Sequence, residues 1–145
     1  MQVSCAANSW SPTQSMAASS CTCDDGFYGP QGGPCTECEP GSWCWGGQKS
    51  ACQLFSMSAA GATYAKACTC IDGFFFNEFD QCHMCKADTW CANGDATACP
   101  ENSRSGDGSS AETDCLCLAG FEGPDGGTPQ PMLPGSRFRG GCVLP

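Results

Sequence analysis

The sequence predicts a small disulfide-rich fold: an elongated tandem array of three cysteine-rich modules, made of short β-hairpins and coil with little helix. Three observations predict it. Sixteen of the 145 residues are Cys, a density that marks a disulfide scaffold. Those cysteines recur with one period of 47 residues. Leu, Ile, Val and Phe together number only 16, well below the roughly 20% of a chain that supports an ordinary core. Ordering the backbone costs about 1–2 kcal/mol per residue, so covalent bridges must carry what apolar burial cannot.

The repeat sets the modules. Cys5, Cys52 and Cys99 are each followed 16 residues later by Cys21, Cys68 and Cys115, and two residues after that by Cys23, Cys70 and Cys117. In the first two copies Cys35, Cys38 and Cys44 recur as Cys82, Cys85 and Cys91. Gly26-Phe27, Gly73-Phe74 and Gly120-Phe121 share one offset, as do Ser9, Ser56 and Ser103, and Trp43 and Trp90. The modules are therefore 1–51, 52–98 and 99–145. Seven residues separate Cys44 from Cys52 and Cys91 from Cys99, and such short spacers suit repeats that touch only their neighbours. The third copy lacks the fifth and sixth cysteines and carries an insertion, 128–141, before Cys142. Terminal repeats of an array are often atypical.

The four-cysteine copy bears on pairing. If it closes on itself, the simplest scheme is Cys99–Cys115 and Cys117–Cys142. Carried back, this gives Cys5–Cys21, Cys23–Cys35 and Cys38–Cys44, then Cys52–Cys68, Cys70–Cys82 and Cys85–Cys91. The rival scheme joins the third cysteine to the fifth and the fourth to the sixth. Sequence alone leaves both open.

With 19 Gly and 10 Pro and no helical periodicity, turns, two-stranded hairpins and coil are expected. Each Gly-Phe pair is placed at a turn, with Gly at positive φ. Phe74, Phe75, Phe76 and Phe79 over-supply one tiny core, so some of these rings are expected at a module junction or a partner surface.

Two strings carry a family resemblance. One is C-P-x-N-S-x-S-x-x-G-S-S-x-x-x-x-C-x-C-x-x-G-F from Cys99 to Phe121. The other is C-x-C-x-x-G-F-x-G-P-x-G-G-P-C-x-x-C-x-x-G-x-W-C from Cys21 to Cys44. Together they resemble the ephrin-receptor-like cysteine-rich repeat, a relative of EGF-like and tumour-necrosis-factor-receptor modules. The resemblance implies small hairpin modules within surface or secreted proteins. In EGF-like modules the second Cys of C-x-C pairs with the Cys after the Gly-Phe turn, which agrees with Cys23–Cys35. The acidic signature of calcium-binding EGF modules is not matched, so calcium is not implied. The second copy departs at Phe75-Phe76-Asn77-Glu78, which replaces the Gly-Pro turn.

Chemistry finds little support. The net charge of −9 opposes nucleic-acid binding, which needs a basic face. No apolar run reaches the 18 or so residues of a membrane span. Cys35/Cys38 and Cys82/Cys85 are C-x-x-C pairs, but they repeat in register with structural cysteines. A zinc site joining them would need a spacing much longer than a zinc ribbon's, and no helix is evident to activate a thiol. His83 is the chain's one histidine, too few for a triad or a metal site. No catalytic, cofactor-binding or metal-binding residue is assigned. Arg137-Phe138-Arg139 in the terminal insertion, with the Phe74–Phe79 cluster, is the candidate partner contact, because an aromatic flanked by Arg suits an interface anchor.

Such cysteine density implies an oxidising, non-cytosolic compartment. No signal peptide is visible, so the chain reads as a mature or trimmed form. The expected role is a non-catalytic structural or interaction protein of a cell-surface or extracellular assembly, with protein partners and no small-molecule ligand. The alternative is an accessory subunit of a larger complex in another oxidising space, such as an algal thylakoid lumen. A redox or metal-binding protein is the remote third.

Overall fold

The computed structural model describes residues 4–135. Every strand in it belongs to a two-stranded antiparallel sheet. The first module holds three such pairs. Strand β1 (Ser9–Trp10) pairs with β2 (Thr22–Cys23), β3 (Phe27–Tyr28) with β4 (Thr36–Glu37), and β5 (Ser42–Trp45) with β6 (Gln48–Ala51). The second module repeats them as β7 (Ser56–Met57) with β8 (Thr69–Cys70), β9 (Phe74–Phe76) with β10 (Cys82–Met84), and β11 (Thr89–Ala92) with β12 (Asp95–Ala98). The third holds β13 (Ser103–Arg104) with β14 (Leu116–Cys117), and β15 (Phe121–Glu122) with β16 (Gln130–Pro131). A single 3₁₀ turn precedes the second cysteine of each copy, at Ala18–Ser20, Ala65–Ala67 and Glu112–Asp114. The fold is thus small, disulfide-rich and built of short hairpins with little helix.

The disulfides among the described residues are Cys5–Cys21, Cys23–Cys35, Cys38–Cys44, Cys52–Cys68, Cys70–Cys82, Cys85–Cys91 and Cys99–Cys115. None follows the third-to-fifth register. Cys117 is also disulfide-bonded; Cys142 lies outside the described residues.

These sulfurs are the core. Among the described residues every fully buried hydrophobic side chain is a cysteine, with Cys38, Cys44, Cys85, Cys91 and Cys115 the most deeply placed. No Leu, Ile, Val or Phe joins them. Trp10, Trp45, Leu54 and Phe79 are more than half exposed. A chain with so few aliphatic side chains has no apolar layer into which two sheets could pack, so the hairpins wrap their own bridges.

Backbone signals explain the turns. Gly26, Gly73 and Gly120 take φ of 87°, 84° and 89°, the left-handed geometry expected at each Gly-Phe pair. The two-residue loops Gly46-Gly47 and Asn93-Gly94 have positive φ at both positions, as a type I′ hairpin turn requires. They close β5–β6 and β11–β12, the longest hairpins among the described residues.

The chain forms two compact units, Met1–Thr69 and Cys70–Pro145. This division differs from the 47-residue sequence repeat. The first unit holds module one and the opening loop of module two. The second holds the rest of module two and module three. Each unit therefore contains one whole junction between successive modules.

Candidate functional site

The two junctions are built alike. In the first unit, the Gly41 N–H donates to the Ser58 carbonyl at 3.1 Å and the Cys44 N–H to Ala62 at 2.8 Å. The Gly61 N–H donates back to the Cys38 carbonyl at 2.8 Å. The Ser58 hydroxyl, buried, donates to the Ser42 carbonyl at 2.6 Å. In the second unit the same four bonds recur 47 residues on: Asp88 to Ser105, Cys91 to Ser109, Gly108 to Cys85, and the Ser105 hydroxyl to Thr89. A β-carbon on Gly26 would stand 2.7 Å from the Gly61 carbonyl oxygen, and one on Gly73 2.6 Å from that of Gly108. Glycine at these positions lets the next loop press against the turn. The disulfide-pinned hairpin of one module is thus the seat for the first loop of the next.

The phenylalanine cluster lies on β9–β10. His83 stands opposite Phe75, and Met84 opposite Phe74. Phe75, Phe76, Asn77, Glu78, His83, Met84 and Lys86 line a shallow open groove. The Asn77 side-chain oxygen accepts from the Phe79 and Gln81 N–H groups, both at 2.9 Å, and so fixes the turn. Phe79 projects to solvent at 74% exposure. The Phe76 ring lies against Gly94 of its own module, where a β-carbon would come within 2.6 Å of it. This ring packs within its own module. The junction contact comes from Met84, whose side chain lies beside Gly108.

The matching face of module one carries different chemistry. Lys49 pairs with Glu39 at 2.6 Å and sits 5.0 Å from the centre of the Tyr28 ring. The Tyr28 hydroxyl donates to the other Glu39 oxygen at 3.2 Å. The Lys49 hydrogen bond, then its charge, holds the Glu39 carboxyl below the usual range, and the same bond raises Lys49. One period later these positions are Phe75, Lys86 and Ala96. No bridge can form from Lys86 and Ala96, and the face stays open as the groove.

The C-x-x-C cysteines belong to different bridges. Cys35 joins Cys23 while Cys38 joins Cys44, and Cys82 and Cys85 follow suit. Neither pair forms the internal disulfide of a thiol redox motif. No cysteine among the described residues is free. No group of three or more His, Cys, Asp and Glu among them is placed to hold a metal ion, and no helix among them is long and apolar enough to cross a membrane. Arg137, Phe138 and Arg139 lie outside the described residues.

Sequence reading missed the junction serines. Ser11, Ser58 and Ser105 recur at the same period as the cysteines, and that recurrence was the available signal. It also missed Asn93-Gly94, a strong short-range hairpin signal. Comparison with protein families, with characterised proteins and with solved structures returns no match.

Proposed function

We propose that this chain is a non-catalytic structural and interaction protein of a cell-surface or extracellular assembly, assembled from ephrin-receptor-like cysteine-rich modules. Its seven described disulfides mark an oxidising, non-cytosolic environment. The observation that carries the reading is the repeated junction. Four hydrogen bonds join hairpin to following loop, and the same four recur one period later. Two of the buried serine hydroxyls, those of Ser58 and Ser105, are used to join modules. The chain's exposed aromatics and methionines, Trp10, Trp45, Phe79 and Met84 among them, are of the residue types that interfaces favour.

The test is proximity labelling in the source cell with the oxidised, tagged chain. Surface or extracellular neighbours are expected, together with no turnover in a disulfide-reductase assay. Cytosolic neighbours, or catalysed thiol exchange, would overturn the proposal. Neighbours from a photosynthetic membrane would instead favour the accessory-subunit alternative.

A further inference from the structure

The first loop of module one has the same fold as the two loops that are docked, yet no pinned hairpin among the described residues is hydrogen-bonded to its face at residues 11–15; the Gly32 turn of its own module packs on the loop elsewhere, at Ala18. Its register, Ser9 opposite Cys23, matches Ser103 opposite Cys117. The Ser9, Ser56 and Ser103 hydroxyls each donate to the carbonyl three residues back. Gln14 has φ of 70°, against 72° and 76° for Gly61 and Gly108. The 3₁₀ turns fall at one offset. The difference is in cover. Ser58 and Ser105 are buried by the preceding hairpin at 5% and 9% exposure, while Ser11 is half-buried and Gln14 exposed. Met16 is 79% exposed.

We propose that the face formed by Ser11, Gln14 and Ser15 is a docking site for a disulfide-pinned β-hairpin of a further repeat module. The two junctions define the occupant. It is a hairpin closed by two cysteines six residues apart, like Cys38–Cys44 and Cys85–Cys91. It offers two N–H groups to the Ser11 and Ser15 carbonyls, and two carbonyls to the Gln14 N–H and the Ser11 hydroxyl. A second copy of this chain is not the donor, because its hairpins β5–β6 and β11–β12 already carry their own following loops. The four hydrogen bonds of each native junction form between modules that a short spacer already holds close. The occupant is therefore a module held close by a spacer of the seven-residue kind, which raises its effective concentration. Gln at the glycine position is no obstacle. A β-carbon on Gly61 would meet only the Glu37 side chain, at 3.3 Å, and one on Gly108 only that of Met84. The inference rests on the repeat-scaffold reading and names a partner for it.

Two experiments on the full chain test it. In the first, residues 52–69 are replaced by the sequence of 5–22, so that the module-one loop faces β5–β6. Amide exchange at Gly41 and Cys44, the donors across that junction, is expected to stay within about threefold of the native chain. Exchange at open-amide rates would overturn the proposal, provided the Gly26 N–H, bonded to the Cys44 carbonyl within module one, stays protected. In the second, a copy of residues 5–51 is placed ahead of Cys5, with the native seven-residue spacer between its last cysteine and Cys5. The Gln14 amide is expected to slow by at least about tenfold, toward Gly61 and Gly108. An unchanged Gln14 beside a protected Gly61 would overturn it. Either failure leaves the two native junctions, and hence the scaffold reading, intact.

Discussion

At the scale of single residues, Gly26 and Gly120 form an internal control. Both sit at the Gly-Phe turn with φ near 90°, so any side chain costs about 1–2 kcal/mol in left-handed strain. Only at Gly26 does a β-carbon also meet the next loop, at 2.7 Å from the Gly61 oxygen; at Gly120 it meets nothing within 4 Å. Gly26→Ala is therefore expected to cost about 1–3 kcal/mol more than Gly120→Ala, and to speed exchange at the Gly61 N–H. Thermal unfolding of the oxidised variants checks the first, and hydrogen exchange the second. Equal costs would mean that the junction yields without resistance. This pair also shows what a sequence can disclose. The recurrent Gly-Phe announces a turn, because glycine tolerates positive φ. It cannot announce the carbonyl that arrives from 35 residues further on. Phe55 is a sharper case. It holds φ of 60° where the other copies place Asn8 and Asn102. A bulky residue in that region is unusual, and no local rule foretells it.

At the scale of elements, the pinned hairpin β5–β6 carries the junction. Cys38 and Cys44 are fully buried, and the Cys38 carbonyl accepts from Gly61. Removing the bridge as Cys38→Ala with Cys44→Ala is expected to cost about 2 kcal/mol in the entropic account of a short loop. It should also release the Gly61 amide and the Cys52 amide, which bonds to Gly41. Bridge mapping should still find Cys5–Cys21 and Cys23–Cys35, since those loops close independently. Loss of those two bridges as well would show that the hairpin must form first. On the same module, Lys49 bridges Glu39 beside Tyr28. Glu39 is depressed, so its contribution is present above the ordinary carboxylate range and is lost as pH falls through its lower folded value. Lys49 is raised, so its contribution holds below the ordinary amine value and is lost as pH rises through the folded one. Both groups are exposed, so screening keeps the stability effect small. Lys49→Met should return the Glu39 carboxyl titration toward its usual value, as followed by NMR; an unmoved titration would remove Lys49 as the cause. The local bridges were legible in the 16-, 12- and six-residue spacings because each closes within its own module. The hairpins β5–β6 and β11–β12 were legible in part, through Asn93-Gly94. The face that differs between Tyr28 and Phe75 was not, because it depends on side chains brought together from three strands or turns.

At the scale of the whole chain, sulfur replaces the aliphatic core, and the bridges are not equally protected. Cys38–Cys44 and Cys85–Cys91 have both partners essentially inaccessible, at 1% exposure or less. The other described bridges pair one buried cysteine with one that is half-buried, at Cys5, Cys35, Cys52, Cys82 or Cys99. Thiol exchange requires an attacking thiolate to reach a sulfur in line, so access orders the reaction. Under graded reductant the outer bridges are expected to open first and the two hairpin pins last, as read by stepwise alkylation and mass spectrometry. Each outer bridge closes a loop worth about 3 kcal/mol, against a net stability of about 5–15 kcal/mol for a folded domain. The pins therefore cannot hold the fold alone. Amide dispersion should collapse once a few outer bridges are open, before Cys38–Cys44 is reduced in the bulk of the sample. Native dispersion in a fully reduced chain would mean that some apolar packing carries the fold after all, and the exposed Trp10, Trp45 and Leu54 argue against any such layer.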